Sequence, residues 1–150
     1  SGSFTNRKKI QYGVDLINEQ NSDLLLFTGD IVNNRASEMH QWIEMFSVLN
    51  APYGKYSILG NHDYGDYTSW SSEKEKVENF EAIKSLHPKM GFELLCNENR
   101  SLEKEGRKIG TNLSRFPEWK ITFGHFIKMK ILKTSKSSLD LCGNISIPKT

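Results

Sequence analysis

Two short apolar runs, each closed by a glycine and a polar residue, constrain this chain more than any other feature. The first is Leu24-Leu25-Leu26-Phe27, leading into Thr28-Gly29-Asp30. The second is Lys55-Tyr56-Ser57-Ile58-Leu59, leading into Gly60-Asn61-His62-Asp63. A brief apolar run without polar alternation reads as a strand buried on both faces, the habit of parallel sheets. Each run follows a helical pattern. Within residues 6–20, Ile10, Val14 and Ile17 recur at spacings of four and three, and Asn6 is placed to cap the start. Ser37 is placed to cap a second helix that runs to Leu49 with Met39, Ile43, Phe46 and Leu49 on one face, until Ala51-Pro52 breaks it. Helix, strand and polar loop, given twice, predict an α/β fold. Its two loops should face one another at the carboxyl ends of neighbouring strands, where open sheets gather ligands.

The remainder reads less regularly. A third helix is expected over 72–86, with Val77, Phe80 and Ile83 inward; His87-Pro88 ends it, a histidine there suiting the helix dipole. Residues 92–96 read as a strand, and Lys104-Glu105-Gly106 as the turn of a hairpin between Ser101-Leu102-Glu103 and Arg107-Lys108-Ile109. Ile121-Thr122-Phe123 reads as a last core strand. A chain of 150 residues suits one domain, well formed over roughly 6–110, with 111–150 a divergent, basic C-terminal segment. Residues 101–150 hold 10 basic and 4 acidic residues, whereas residues 1–100 hold 10 and 14. Such a tail suits a phospholipid or other anionic surface, but without interleaved aromatics nucleic acid is not favoured and a solubilising end is the plainer reading. No apolar stretch approaches membrane-spanning length, and no signal pattern opens the chain. Cys96 and Cys142 stand in no motif; a disulfide is open to them, but free thiols of a reducing compartment are the plainer reading. His40 reads as a helix-surface residue. Trp42, Trp70 and Trp119 read as core or turn packing before a ligand groove.

The loops carry the chemistry. A carboxylate after a buried strand and a glycine, as at Asp30, can ligate or bridge hard divalent cations, although a helix cap or an exposed turn aspartate explains it equally. In the second loop Asn61 offers a neutral amide oxygen as a ligand. His62 can donate a proton or bond a phosphoryl oxygen if a carboxylate such as Asp63 holds its ring. A plain surface turn accounts for the same trio.

Taken together, Gly29-Asp30 after one apolar run and Gly60-Asn61-His62-Asp63 after another about thirty residues on resemble the calcineurin-like metallophosphoesterases. The flanking Phe27–Asn34 and Tyr53–Tyr67 further resemble a bacterial, often membrane-associated branch of that family. The resemblance covers residues 3 to about 109. It implies a layered sheet with flanking helices and a two-metal centre that hydrolyses phosphate mono- or diesters. By that resemblance Asp30 bridges the ions, Asn61 ligates the second, and His62 binds phosphate or acts as general acid, oriented by Asp63. Tyr64, Tyr67 and Trp70 then form a substrate-side wall. Manganese or magnesium suits the oxygen donors, while iron or zinc would want histidines as well.

The chain also departs from the family pattern. The Asp-x-His motif and the strand that carries it should precede Ser1 and are not in the sequence. In Gly124-His125-Phe126-Ile127, His125 is the one remaining metal-ligand candidate, because isoleucine stands where a second histidine belongs. These departures imply a truncated relative that binds one ion or none, with weak or absent turnover. The alternative is an inactive remnant that binds phosphate or a protein. With its first strand missing, the sheet needs an edge filler, expected from within 120–134. Localisation is expected to be cytoplasmic, or membrane-associated through an upstream segment.

Overall fold

The computed structural model describes residues 6–96, 98–104, 107–113 and 126–129. Helix α1, Arg7–Glu19, begins where Asn6 accepts the N–H groups of Lys8 and Lys9, two donors that a helix start leaves open. It turns Val14 fully, and Ile10 and Ile17 partly, into the core.

Strand β1, Leu24–Phe27, is buried along its whole length. Leu25 and Phe27 join the large cluster under the helices, and Leu24 and Leu26 join a smaller one with Ile58 and Leu95. Burying each leucine contributes about 2 kcal/mol, so β1 is the axis of the fold. Strand β2, Lys55–Ser57, runs parallel to β1, and the two-residue β3, Glu93–Leu94, runs parallel to β2. Along the other edge of β1 lies β6, Phe126–Met129, antiparallel, with Leu24 opposite Met129 and Phe27 opposite Phe126. The sheet order is therefore β3-β2-β1-β6, and the expected edge filler is this segment. Strands β4, Glu98–Lys104, and β5, Arg107–Leu113, form the expected hairpin as a separate two-stranded sheet. Residues 121–123 lie outside the described residues.

Two helices differ from expectation. Between Ser37 and Leu49 the chain makes a 3-10 helix, Ala36–Trp42, and then a single short helix α2, Ile43–Ser47. Its start is set by Glu38, not Ser37. The Glu38 carboxylate accepts the N–H groups of Asn33, Asn34 and Arg35 from inside the turn. Burial alone would raise that carboxyl; these bonds outweigh it and bring it down to about 2. Of the expected core positions, Met39, Phe46 and Leu49 are buried and Ile43 partly so, and Trp42 is buried as well.

Helix α3, Glu73–Lys89, is capped by Ser72 as expected but runs three residues past Leu86, with Pro88 in its last turn. A proline there lacks one N–H, yet Met90 still donates to Leu86 and Gly91 to Pro88. Val77 is not inward; it is 57% exposed, because the buried face is carried by Ile83, Leu86 and His87. His87 does not serve the dipole either. Its ring is wholly buried beside Phe27, neither nitrogen finds a partner among the described residues, and burial depresses it to about 4, so it is neutral.

Candidate functional site

The loops after β1 and β2 meet as expected, and the meeting is close. Gly29 has φ +93°, and a Cβ there would lie 2.2 Å from the amide nitrogen of Gly60. A Cβ on Gly60 would lie 2.2 Å from Oδ1 of Asp30. Only glycine at both positions lets the two backbones touch. Asp30 follows in the left-handed region at φ +59°, which an aspartate tolerates at some cost.

Asp63 holds this contact together. Its side chain is fully buried, and its two oxygens gather main-chain N–H groups from both loops. Oδ2 accepts from Asp30 at 2.9 Å and Gly60 at 2.8 Å; Oδ1 accepts from Ile31 at 2.9 Å and, at the weaker 3.4 Å, from Val32. Burial nevertheless pushes the carboxyl up to about 6, with the Asp30 charge adding to the rise and the N–H groups working against it. A second tie runs the other way, from the His62 amide to Oδ1 of Asp30 at 3.0 Å.

This geometry corrects the role expected for Asp63. Both of its oxygens face the backbone, and the imidazole of His62 is held instead by the main-chain carbonyl of Asn33, 3.0 Å from Nδ1. A carbonyl only accepts, so Nδ1 carries the proton and Nε2 is the basic nitrogen of the neutral ring. No side-chain signal points to Asn33, because the contribution is a backbone oxygen.

The aromatic loop divides its work. The Tyr64 ring stacks on Phe80 of α3 at 5.2 Å. Trp70 donates from Nε1 to the Gly65 carbonyl at 2.7 Å and lies under the Arg35 guanidinium at 4.3 Å. Arg35 in turn pairs with Glu75 at 3.0 Å, which ties this loop to α3. Tyr67, 61% exposed, stacks on His62 at 4.6 Å, and its hydroxyl accepts from Nδ2 of Asn61 at 2.8 Å.

A model of the family described as calcineurin-like phosphoesterase matches residues 3–130. The chain belongs to this family. Its relatives include the uncharacterized metallophosphoesterase YkuE of Bacillus subtilis, 49% identical over 53 residues, which are 34% of this chain and 18% of the relative. A Danio rerio protein named for a transmembrane protein with a metallophosphoesterase domain is 29% identical over 91 residues, 59% of this chain and 21% of its own. The UDP-2,3-diacylglucosamine pyrophosphatase LpxG of Chlamydia trachomatis is 35% identical over 77 residues, 51% of this chain and 23% of its own. The chain thus spans less than a quarter of the length of each. No solved structure matches it significantly. Among the described residues no helix is long and apolar enough to cross a membrane.

The calcineurin-like family generally uses divalent metals. Among the described residues no group of three or more histidine, cysteine, aspartate or glutamate side chains gathers around one point. Asp30 and Asn61, the ligands expected from the sequence, carry hard oxygens of the kind magnesium or manganese takes. His125 lies outside the described residues. No metal site closes among the described residues.

Proposed function

We propose that the paired loops are the substrate-facing part of a divalent-metal phosphoesterase. In this arrangement Asp30 and Asn61 are ligands, and His62 is the group that meets the phosphoryl oxygen or the leaving group. Asp63 acts through the backbone by fixing the distance between the two loops. The observation that carries this reading is the Gly29–Gly60 contact bound by Asp63, which brings together the two loops that carry Asp30, Asn61 and His62. Phosphate mono- or diesters are the substrate class. The chlamydial relatives named as pyrophosphatases of a lipid-linked nucleotide make a phosphate ester carried on a lipid, at a membrane surface, the first class to try.

A second reading is a module in which phosphate is bound without turnover. One experiment separates the two. Calorimetric titration with Mn²⁺ in phosphate-free buffer is run on the chain and on Asp30→Ala and His125→Ala, beside hydrolysis of a chromogenic phosphodiester. Two ions lost together in Asp30→Ala, with hydrolysis, support the enzyme. One weak ion without hydrolysis supports the binding module. Unchanged Mn²⁺ affinity in Asp30→Ala refutes both metal assignments.

A further inference from the structure

The exposed ring of Tyr67 makes two contacts that a substrate-side wall does not need. Its hydroxyl accepts a hydrogen bond from Nδ2 of Asn61 at 2.8 Å, and its face stacks on His62 at 4.6 Å with the planes 28° apart. Neighbouring aromatics are engaged elsewhere, Tyr64 against Phe80 and Trp70 against Gly65 and Arg35. Tyr67 therefore couples the two polar residues that open the second loop, from a position three residues beyond the short 3-10 turn His62–Tyr64.

The consequence for Asn61 is one of sign. A side-chain amide has a donor end and an acceptor end on one planar group, and rotation by half a turn exchanges them. Only the oxygen end can ligate a cation. Asn61 is exposed, so without a fixed partner its amide samples both orientations. A partner that takes the NH₂ end turns the oxygen the other way. His62 has the matching need. Asn33 fixes one edge of the ring through Nδ1, but a single hydrogen bond leaves the ring able to swing about it. A stacked aromatic face removes that freedom.

We propose that Tyr67 is a positioning residue for the site, its hydroxyl orienting the Asn61 amide with the oxygen presented as a ligand and its ring holding the His62 imidazole in plane. The proposal rests on the assignment of Asn61 and His62 under Proposed function. It goes beyond that assignment by giving one exposed tyrosine control of both.

The test compares Tyr67→Phe, which keeps the ring and loses the hydroxyl, with Tyr67→Ala, which loses both. The readouts are NMR spectra of the metal-free full chain and calorimetry with Mn²⁺. In Tyr67→Phe the Asn61 side-chain NH₂ resonances move and broaden, the upfield ring-current shift of the His62 carbon-bound protons stays, and Mn²⁺ affinity falls about fivefold, as for one hydrogen bond. In Tyr67→Ala the His62 shifts also revert and its imidazole ¹⁵N pattern leaves the single Nδ1–H tautomer. Unmoved Asn61 resonances in Tyr67→Phe, or unmoved His62 resonances in Tyr67→Ala, overturn the proposal. Because the spectra are taken without metal, they decide it whether or not Mn²⁺ binds; failure of the unsubstituted chain to bind Mn²⁺ counts against the metal assignment alone. An unmoved Trp70 indole N–H resonance in both variants shows that the loop keeps its fold.

Discussion

Lowering the pH from 7 to 5 sets two buried groups of this chain against each other, and replacing one of them exposes the other. His87 is wholly buried, with both ring nitrogens unpartnered among the described residues, and burial lowers it from 6.5 to about 4. In that window the unfolded chain takes up the proton first. The stability tied to neutral His87 is full above pH 6.5 and drains away as pH falls towards 4, about 2 kcal/mol between pH 7 and 5. Asp63 works in the opposite direction. Burial, more than the Asp30 charge, raises it from 3.8 to about 6, so the folded chain takes up the proton first. Protonation of Asp63 therefore returns about 1 kcal/mol of stability over the same interval. The unsubstituted chain should lose only about 0.5 kcal/mol on acidification, the difference between the two before rounding. In His87→Leu, which fills nearly the same volume, the histidine contribution vanishes and acidification should stabilise by about 1 kcal/mol. The same variant should also be about 1 kcal/mol more stable at pH 7, since it no longer buries two unpartnered nitrogens. Urea unfolding followed by tryptophan fluorescence at both pH values gives all four free energies. Groups common to both proteins cancel in the comparison. Parallel pH responses of the two proteins, or a His87→Leu variant clearly weaker at pH 7, would refute the argument.

Other substitutions have equally definite outcomes. Gly29→Ala puts a Cβ 2.2 Å from the Gly60 amide and adds strain at φ +93°; it should cost at least about 3 kcal/mol in urea unfolding, against about 0.5 for an exposed surface change. Asp30→Asn keeps an acceptor for the His62 amide and a residue type that tolerates left-handed backbone. Its melting temperature should stay nearly constant while Mn²⁺ affinity falls at least tenfold by calorimetry. Glu38→Gln replaces a charged acceptor of three N–H groups by a neutral one, for a loss of about 1 kcal/mol at pH 7. That loss should disappear as pH falls through about 2, where the Glu38 carboxyl itself becomes neutral.

Much of this was legible in the sequence, and the limits have physical causes. Core positions on α1 and β1 followed from periodicity, because packing decides those residues and burial leaves a pattern. The pairing of the Asp30 loop with the Asn61–Asp63 loop followed from two strands ending in the same chemistry. What failed was anything set by a backbone atom or by the far side of a contact. Asn33 enters the site through its carbonyl, and Glu38 starts its turn by collecting N–H groups behind it. His87 looked like a helix-end residue because its environment is supplied by Phe27, sixty residues away, and no local pattern reveals that. Val77 failed for a related reason: spacing places it on the apolar side of α3, but nothing packs over it, and it stays 57% exposed.

The Asp63 carboxylate also answers a question that the apolar strands leave open. Leu24, Leu25 and Leu26 are interchangeable in burial, so sliding β1 by one residue against β2 would keep leucine on both faces and lose little hydrophobic energy. Strand pairing of this composition is weakly specified by its own side chains. The slip would, however, carry the N–H groups of Asp30, Ile31 and Val32 away from the Asp63 oxygens and open the Gly29–Gly60 contact. Leaving a buried carboxylate without those donors costs several kcal/mol, more than a one-residue shift of leucines can offset. Asp63 thus sets the register of the sheet and the spacing of the candidate site through the same four hydrogen bonds. A residue expected to serve His62 in catalysis instead fixes where the two loops, and with them Asp30, Asn61 and His62, come to lie.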